Sequence, residues 1–225
     1  MRTPLLFCME RLTYWLRNSA IIRIVGGFVL AALVLAGIGW TVTGPYREYP
    51  LGFDNAIRNA IRQMRSPMWA TLFLTVTKLG STVYLAIIGC VAGIIFLFMR
   101  WFRPLLVLIL VMSGQAALHH GFKWLIARPR PSALMTYPTA ESFSYPSGHA
   151  VASLCLYFTI AWYVAATTDN SALKVIITIL TAVLVFLIGM SRVYIGIHYP
   201  TDVLAGFLAA AIWTGAVLWI DRRRL

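Results

Sequence analysis

Charged side chains are scarce in this 225-residue chain: Asp, Glu, Lys and Arg make up 12% of it, whereas hydrophobic residues make up 60%. A soluble domain carries about 25% charged residues, so the composition excludes an ordinary soluble fold. Apolar stretches of about 20 residues recur along most of the chain, and each is long enough to cross ~30 Å of hydrocarbon as a helix. We therefore predict an integral membrane protein with a single transmembrane domain over residues 1–225.

Acidic residues and cysteines are also few. Seven Asp and Glu residues stand against 19 Lys and Arg, which leaves a formal net charge of +12, and there are three cysteines. An odd number of cysteines, two of them inside apolar runs, indicates no disulfide framework. The basic residues lie at the ends of apolar segments and belong to no hydrophilic module, so we expect no nucleic acid partner. This charge favours anionic lipid headgroups and phosphate, and no obligate protein partner is evident.

Six transmembrane helices account for the long apolar segments, so the predicted fold class is all-α and polytopic. The first apolar segment is too long for the core of a signal peptide, and we expect it to stay as an anchor. The predicted spans are 21–42, 81–98, one that ends near 123, 148–166, 173–190 and 201–220.

Interfacial helices are expected beside these spans. Residues 5–16 carry apolar side chains at helical spacing, and residues 53–65 place Arg58, Arg62 and Arg65 on one helical face. We expect both segments to lie on the membrane surface. The apolar run 68–76 is too short to cross the bilayer and is predicted to be interfacial or re-entrant.

An even number of spans places both termini on one side of the membrane and the chain's polar motifs on the other. Lys and Arg are divided nearly evenly between the two sides. When the cations of the motifs are set aside as functional, the positive-inside rule favours cytoplasmic termini. We therefore expect a multi-pass protein of the cell (inner) membrane whose active site faces the periplasm or the cell exterior.

Three motifs lie where predicted spans meet water. They are Lys123 followed by Arg130-Pro131, then Pro146-Ser147-Gly148-His149, then Ser191-Arg192 with His198 and Asp202 downstream. Such groups are costly beside hydrocarbon unless they have a function. The two arginines and the lysine can neutralise phosphate oxygens, because guanidinium forks pair with tetrahedral anions. Ser147 is expected to cap a helix at which Gly148 lets a phosphate approach backbone N–H groups.

The histidines and the carboxylate have separate expected roles. His198 and Asp202 lie four residues apart at the head of the last span, so Asp202 can hold one ring nitrogen and leave the other free for attack. His149 is then the acid that protonates the leaving oxygen. These three residues are also a candidate metal set, but three neighbouring cations would repel a divalent ion. We expect metal-independent chemistry without a cofactor.

Structural interpretations remain open for each of these residues. The three cations can be headgroup anchors at span ends, and Arg128 fits that role best because its spacing from Lys123 is shorter. Ser147 and Gly148 can be no more than the start of a helix, and Asp202 can be no more than a carboxylate in the first turn of a helix, where it faces the helix dipole. We expect packing or interfacial roles for His119 and His120 and a solvated loop position for Glu141.

At these residues the chain resembles the type 2 phosphatidic acid phosphatase superfamily of membrane lipid phosphatases. The family signature is Lys, six residues, Arg-Pro; then Pro-Ser-Gly-His; then Ser-Arg, five residues, His, three residues, Asp; all three parts occur here. The resemblance implies that His198 forms a phosphohistidine, that Asp202 supports it, and that His149 acts as acid and then as base. The phosphate-binding residues that it implies are Lys123, Arg130, Ser147, Gly148 and Arg192.

The resulting hypothesis is an integral membrane phosphatase that hydrolyses a lipid phosphate or diphosphate. Resemblance to compact bacterial members favours undecaprenyl diphosphate, with phosphatidylglycerophosphate or phosphatidic acid as alternatives. The basic helix over residues 53–65 is expected to attract extra negative charge, which favours a small, highly anionic head on a long lipid. A non-catalytic binder or transporter of phosphorylated lipids is the alternative from a different class.

Overall fold

Helices make up the secondary structure of the described part of the chain, which covers residues 20–44, 51–134 and 142–222 of a computed structural model. Eight helices and no strand occur in these ranges, so the all-α prediction is confirmed. The helices are α1 (Ala20–Thr43), α2 (Gly52–Gln63), α3 (Pro67–Leu79), α4 (Thr82–Phe98), α5 (Phe102–Ile126), α6 (Gly148–Ala166), α7 (Ser171–Ile195) and α8 (Pro200–Arg222). The predicted surface helix at residues 5–16 and Glu141 lie outside the described residues.

Five of these helices, α1 and α5 to α8, are long and apolar enough to cross a membrane. Helices α3 and α4 pass the same test together and are bent by 49° where they meet, as in a broken span or a re-entrant loop. The polytopic prediction is confirmed, and its count of six spans is reached when this bent pair is taken as one span. Large apolar side chains such as Val83, Phe98 and Leu180 are exposed on the outside of the bundle, as expected for surfaces that face lipid.

The bend between α3 and α4 follows from local sequence and from tight packing. Ser66 begins α3 by accepting a hydrogen bond from Trp69 N at 3.4 Å, and the helix ends at Gly80. A Cβ added at Gly80 would lie 2.3 Å from Cγ2 of Ile188 on α7, so only glycine allows this approach. The hydroxyl of Tyr157 on α6 donates to Leu79 O at 2.9 Å. The bend is thereby fixed against α6 and α7.

Helix α8 is central in the bundle, because small residues let its neighbours come close. Ala205, Ala209 and Ala210 are completely buried, and small residues at helix contacts are typical of membrane bundles. Trp213 packs against Gly114 of α5, and its indole N–H donates to Val111 O at 2.9 Å. This packing holds the first turn of α8 at a defined place at one end of the bundle.

Helix α2 contains Arg58 and Arg62 of the expected basic face, and Arg65 follows two residues after its end. Arg62 is exposed as expected, but Arg58 is buried and donates from Nη2 to Ser132 O at 2.8 Å, and Arg65 donates to Leu134 O. Asp54, one turn before Arg58, is also buried. The basic face is therefore less open than predicted, because Arg58 and Arg65 bind carbonyl groups of the loop that follows α5, although Arg62 and Arg65 stay exposed.

Candidate active site

The three sequence motifs converge at one end of the bundle around a cavity of about 1170 Å³. The last turn of α5, the loop after it, the start of α6, the end of α7 and the segment before α8 each contribute. Six of the eight candidate residues line the cavity: Lys123, Arg130, Gly148, His149, Arg192 and His198. Ser147 and Asp202 are completely buried directly behind this wall. All eight residues, separated by up to 79 positions, are thus brought to one place.

The turn after α7 places His198 opposite the cations. Gly196 ends the helix with φ of +91°, and its N–H donates to Arg192 O at 3.2 Å. A Cβ at Gly196 would lie 2.4 Å from Leu134 N, so a side chain is excluded both by the left-handed backbone and by the neighbouring loop. Leu134 N donates to Ile195 O at 3.0 Å. The arginine on α7 and the histidine after it therefore face the same space.

His198 and Asp202 lie next to each other at the start of α8. Helix α8 begins at Pro200, between them, and His198 Nδ1 lies 3.6 Å from Asp202 Oδ2. This distance suits an ion pair but is longer than a hydrogen bond. The same carboxylate oxygen accepts a hydrogen bond from Tyr199 N at 2.9 Å. On the other side of the ring, His198 Nε2 lies 3.4 Å from Arg130 Nη1, so Nε2 faces the cation-lined space.

The surroundings of His198 keep its imidazole neutral. The pKa of His198 is lowered to about 4, mainly by burial and also by the positive charges of Arg192 and Arg130, which together outweigh the opposing effect of Asp202. At neutral pH the ring therefore carries one proton. With that proton on Nδ1 towards Asp202, the lone pair on Nε2 is directed at the site of the cations.

Arg130 is held by the loop on both sides of its guanidinium. Nε donates to Ser142 O at 2.7 Å, Nη2 to Ser142 Oγ at 3.0 Å, and Nη1 to Ile197 O at 2.9 Å. Burial lowers the pKa of Arg130, and the attraction of Asp202 acts in the opposite direction. A guanidinium stays protonated in proteins, so the group is a fixed cation beside His198.

Arg192 is positioned by a helix that the sequence did not connect with the site. It is buried, and Nη1 donates to Thr77 Oγ1 of α3 at 2.7 Å. Residues 68–76 were predicted to be interfacial or re-entrant, and α3 extends three residues beyond them to Leu79. The last turn of α3 thus supplies an acceptor that orients a cation of the cavity wall.

The start of α6 presents polar atoms to the same place. Ser147 occupies the N-cap position as expected, but its side chain makes no capping hydrogen bond. Within the described part of the chain, Ser147 Oγ and His149 Nε2 are buried without a hydrogen-bond partner. Gly148 packs on His119, where a Cβ would lie 2.8 Å from Cε1. A bound anion at the N-terminus of α6 would provide an acceptor for both the hydroxyl and the backbone N–H groups.

His119 and His120 form part of the cavity wall, with ring centroids 4.9 Å apart at 64°. The contact between His119 and Gly148 agrees with the packing role expected for this side chain. In the described ranges, no group of three or more His, Cys, Asp and Glu side chains has the arrangement of a metal site.

The interpretation of Arg128 as a headgroup anchor is wrong. Its side chain is completely buried, Nη1 donates to Asp202 Oδ1 at 2.6 Å, and Nη2 donates to Asp54 Oδ2 at 2.7 Å. Burial lowers the pKa of Arg128, but the carboxylates of Asp202 and Asp54 outweigh it and raise that pKa. Arg128 is therefore an internal ion-pair partner of the site and not a headgroup anchor. The available signal was Asp54 itself, a rare acidic residue between the apolar positions of α2.

Known phosphatases are similar to this chain in sequence. A phosphatidylglycerophosphatase B of Bacillus subtilis is 33% identical over 155 residues, which cover 68% of this chain and 76% of that protein. An undecaprenyl-diphosphatase of Sulfolobus acidocaldarius is 31% identical over 123 residues, covering 52% of this chain and 55% of the relative.

A solved structure and a family model extend the comparison to the fold. The crystal structure of a transmembrane PAP2 type phosphatidylglycerolphosphate phosphatase from Bacillus subtilis superposes with a TM-score of 0.73 at 28% identity, covering 89% of this chain and 96% of that one. The model of the PAP2 superfamily matches residues 104–225, which hold all eight candidate residues. The chain belongs to the PAP2 superfamily.

Proposed function

We propose that this protein is a lipid phosphate or diphosphate phosphatase that works through a phosphohistidine at His198. The observation that carries the proposal is the placement of a neutral His198 Nε2 beside Arg130 at the cationic end of a cavity. The rest of the cavity wall comes mainly from apolar residues of α4 and α5, such as Leu85, Leu105 and Met112. A phosphate at the polar end and a lipid chain along the apolar wall would satisfy both regions.

In the first step His198 Nε2 attacks the phosphorus atom. A P–N bond forms while the bond from phosphorus to the leaving oxygen breaks, and His149, in its protonated form, donates a proton to that oxygen and becomes neutral. Asp202 stabilises the positive charge that the ring acquires when it is phosphorylated with a proton on Nδ1. The cations Arg130, Arg192 and Lys123 stabilise the charge on the non-bridging oxygens.

In the second step water hydrolyses the phosphohistidine. His149, now neutral, takes a proton from the water as its oxygen bonds to phosphorus, and the P–N bond breaks to return His198 to its starting form. Inorganic phosphate is released, together with an alcohol or a lipid monophosphate from the first step. Apart from the substrate and water, both steps use only groups of this chain, and we propose that no metal ion takes part.

For the substrate we propose an isoprenoid diphosphate such as undecaprenyl diphosphate, with broader activity on other lipid phosphates. The lysine and arginines of the wall, with His119 and His120 beside them, offer more positive and donor groups than a single phosphate requires. The basic face over residues 53–65 does not support this choice, since Arg58 and Arg65 bind the loop that follows α5. Phosphatidylglycerophosphate is the second candidate, favoured by the longer alignment and the structural similarity to the Bacillus enzymes.

We also propose that the termini are cytoplasmic and that the cavity opens on the periplasmic or extracellular face of the cell membrane. The distribution of Lys and Arg supports this orientation, because several cations at the end that carries the cavity make hydrogen bonds within the site. Arg128, Arg130 and Arg192 all make hydrogen bonds within it. They therefore do not count as free charges for the positive-inside rule.

Purified protein in detergent tests the proposed function. The wild type should release inorganic phosphate from undecaprenyl diphosphate, phosphatidylglycerophosphate and phosphatidic acid, with the highest kcat/KM for the diphosphate, and His198→Ala should release none. A tenfold preference for either glycerolipid would overturn the substrate choice. Binding of the lipids without phosphate release would instead favour a transporter or binding protein.

A further inference from the structure

A buried ionic network lies directly behind the nucleophile. Arg128 bridges two carboxylates, with 2.6 Å from Nη1 to Asp202 Oδ1 and 2.7 Å from Nη2 to Asp54 Oδ2, and all three side chains are completely buried. Its guanidinium carbon also lies 4.0 Å from the ring centroid of Tyr199, the residue after His198. The network therefore connects the surface helix α2 with the loop after α5 and with the head of α8.

Thr201 closes this network into a ring. Its N–H donates to Asp54 Oδ1 at 3.0 Å, its hydroxyl donates to Asp54 Oδ2 at 2.8 Å, and Oγ1 accepts from Arg128 Nη1 at 2.7 Å. Both oxygens of Asp54 are thereby used. Because each partner is fixed by at least two contacts, the guanidinium plane has one orientation.

The consequence for Asp202 is a fixed carboxylate. Oδ1 is held by Arg128, and Oδ2 accepts from Tyr199 N while facing His198 Nδ1 at 3.6 Å. Rotation of the carboxylate would break one or both hydrogen bonds in a buried site, where an unsatisfied charged group is costly. The oxygen that faces the proton on His198 Nδ1 is therefore held in place before a substrate binds.

The charge of the network also matters. A single carboxylate paired with Arg128 would be neutralised by it, whereas Asp54 adds a second carboxylate that shares the same guanidinium with Asp202. A buried charge acts strongly on its neighbours because water does not screen it. Asp54 thus restores to Asp202 the negative character that Arg128 would otherwise cancel, and that character stabilises a phosphorylated imidazole ring.

We propose that Asp54 and Arg128 are positioning residues that aim and charge Asp202 for catalysis at His198. Helix α2 is then a part of the catalytic apparatus and not only a membrane-surface element. The inference rests on the proposed function, since it assigns a role in the phosphorylation of His198. A purely structural network would join α2 to α8 and have no effect on the chemical step once the protein is folded.

Thr201 offers a matched pair of variants for the test. Thr201→Val keeps the shape and the backbone N–H but removes the hydroxyl shared by Arg128 and Asp54, whereas Thr201→Ser keeps the hydroxyl. We expect Thr201→Val to lower kcat about three- to tenfold with KM within about twofold of the wild type, because the phosphate ligands are untouched. Thr201→Ser should recover most of kcat. Equal kcat values for wild type, Val and Ser variants would overturn the proposal.

A double-mutant cycle of Asp54→Asn and Asp202→Asn separates an effect that passes through Asp202 from a general structural effect of Asp54. We expect Asp54→Asn to lower kcat at least tenfold in the wild-type background and by less than twofold when Asp202 is already Asn, because its effect passes through that carboxylate. Equal losses in both backgrounds would overturn the inference. If Asp54→Asn does not fold, the Thr201 pair decides alone. Turnover that persists in His198→Ala protein would refute the proposed function itself, whatever the Thr201 variants show.

Discussion

Gly80→Ala should displace the proposed acid, His149, without removing it. The new Cβ would lie 2.9 Å from His149 Cδ2 and 2.3 Å from Ile188 Cγ2. Carbon atoms in favourable contact are about 3.5–4.0 Å apart, so the imidazole must move by roughly 0.6 Å. A misplacement of ~1 Å can cost ~10²-fold in rate, and we therefore expect about a tenfold loss of kcat. Overpacking in the buried bend should also lower stability by about 1–3 kcal/mol.

The assay for this prediction compares two leaving groups. Protonation by His149 matters for an alkyl alcohol but little for p-nitrophenolate, which leaves without a proton. Gly80→Ala should thus lose about tenfold in kcat/KM, which reports the first step and not the later attack of water, on an alkyl phosphate lipid and less than about threefold on p-nitrophenyl phosphate. Gly121→Ala is the control, because a Cβ there meets nothing within 4 Å. Equal losses on both substrates would refute the role of His149 as the acid.

Three further predictions concern the nucleophile, the cations and the membrane orientation. The folded protein holds the pKa of His198 at about 4, and only the neutral ring attacks. After correction for titration of the substrate, kcat/KM should therefore stay constant as the pH falls to about 5 and decline towards pH 4. A decline centred near pH 6.5, the ordinary pKa of histidine, would contradict this prediction. Activity should survive a chelator and be inhibited by vanadate, and loss that magnesium or zinc restores would exclude the metal-free mechanism. The residues Gln63 in α2 and Asp169 before α7 are both exposed, at opposite ends of the bundle. In a cysteine-free background, Gln63→Cys should react with an impermeant thiol reagent in spheroplasts, whereas Asp169→Cys should not. The reverse pattern would place the site in the cytoplasm.

Local signals allowed the helices to be predicted closely. The start of α6 at Gly148 follows directly from the proline and serine before it, and α8 begins at Pro200, where a proline suits the first turn. The end of α7 extended five residues beyond its predicted limit at Met190, because Arg192 is inside the helix and not after it. A charged residue ends an apolar run in the sequence but does not end a helix when a polar group such as Thr77 is available to it.

The parts of the site that sequence reasoning missed depend on contacts between distant segments. Arg128 and Asp54 are 74 positions apart, and Arg192 and Thr77 are 115 positions apart. Periodicity reports which face of a helix is apolar, but it does not report which other helix that face will meet. Arg128 looked like an anchor at a span end, because its burial depends on two carboxylates that only the fold brings together.

The most direct test of the account is the capture of the covalent intermediate. Substrate labelled on its phosphate, mixed with excess protein and quenched in alkali, should leave acid-labile label on the protein, and peptide mapping by mass spectrometry should place it on His198 alone. The label should be absent from His198→Ala and should form more slowly in His149→Ala. Label on a different residue, or phosphate release in a single turnover without any labelled protein, would contradict the phosphohistidine mechanism.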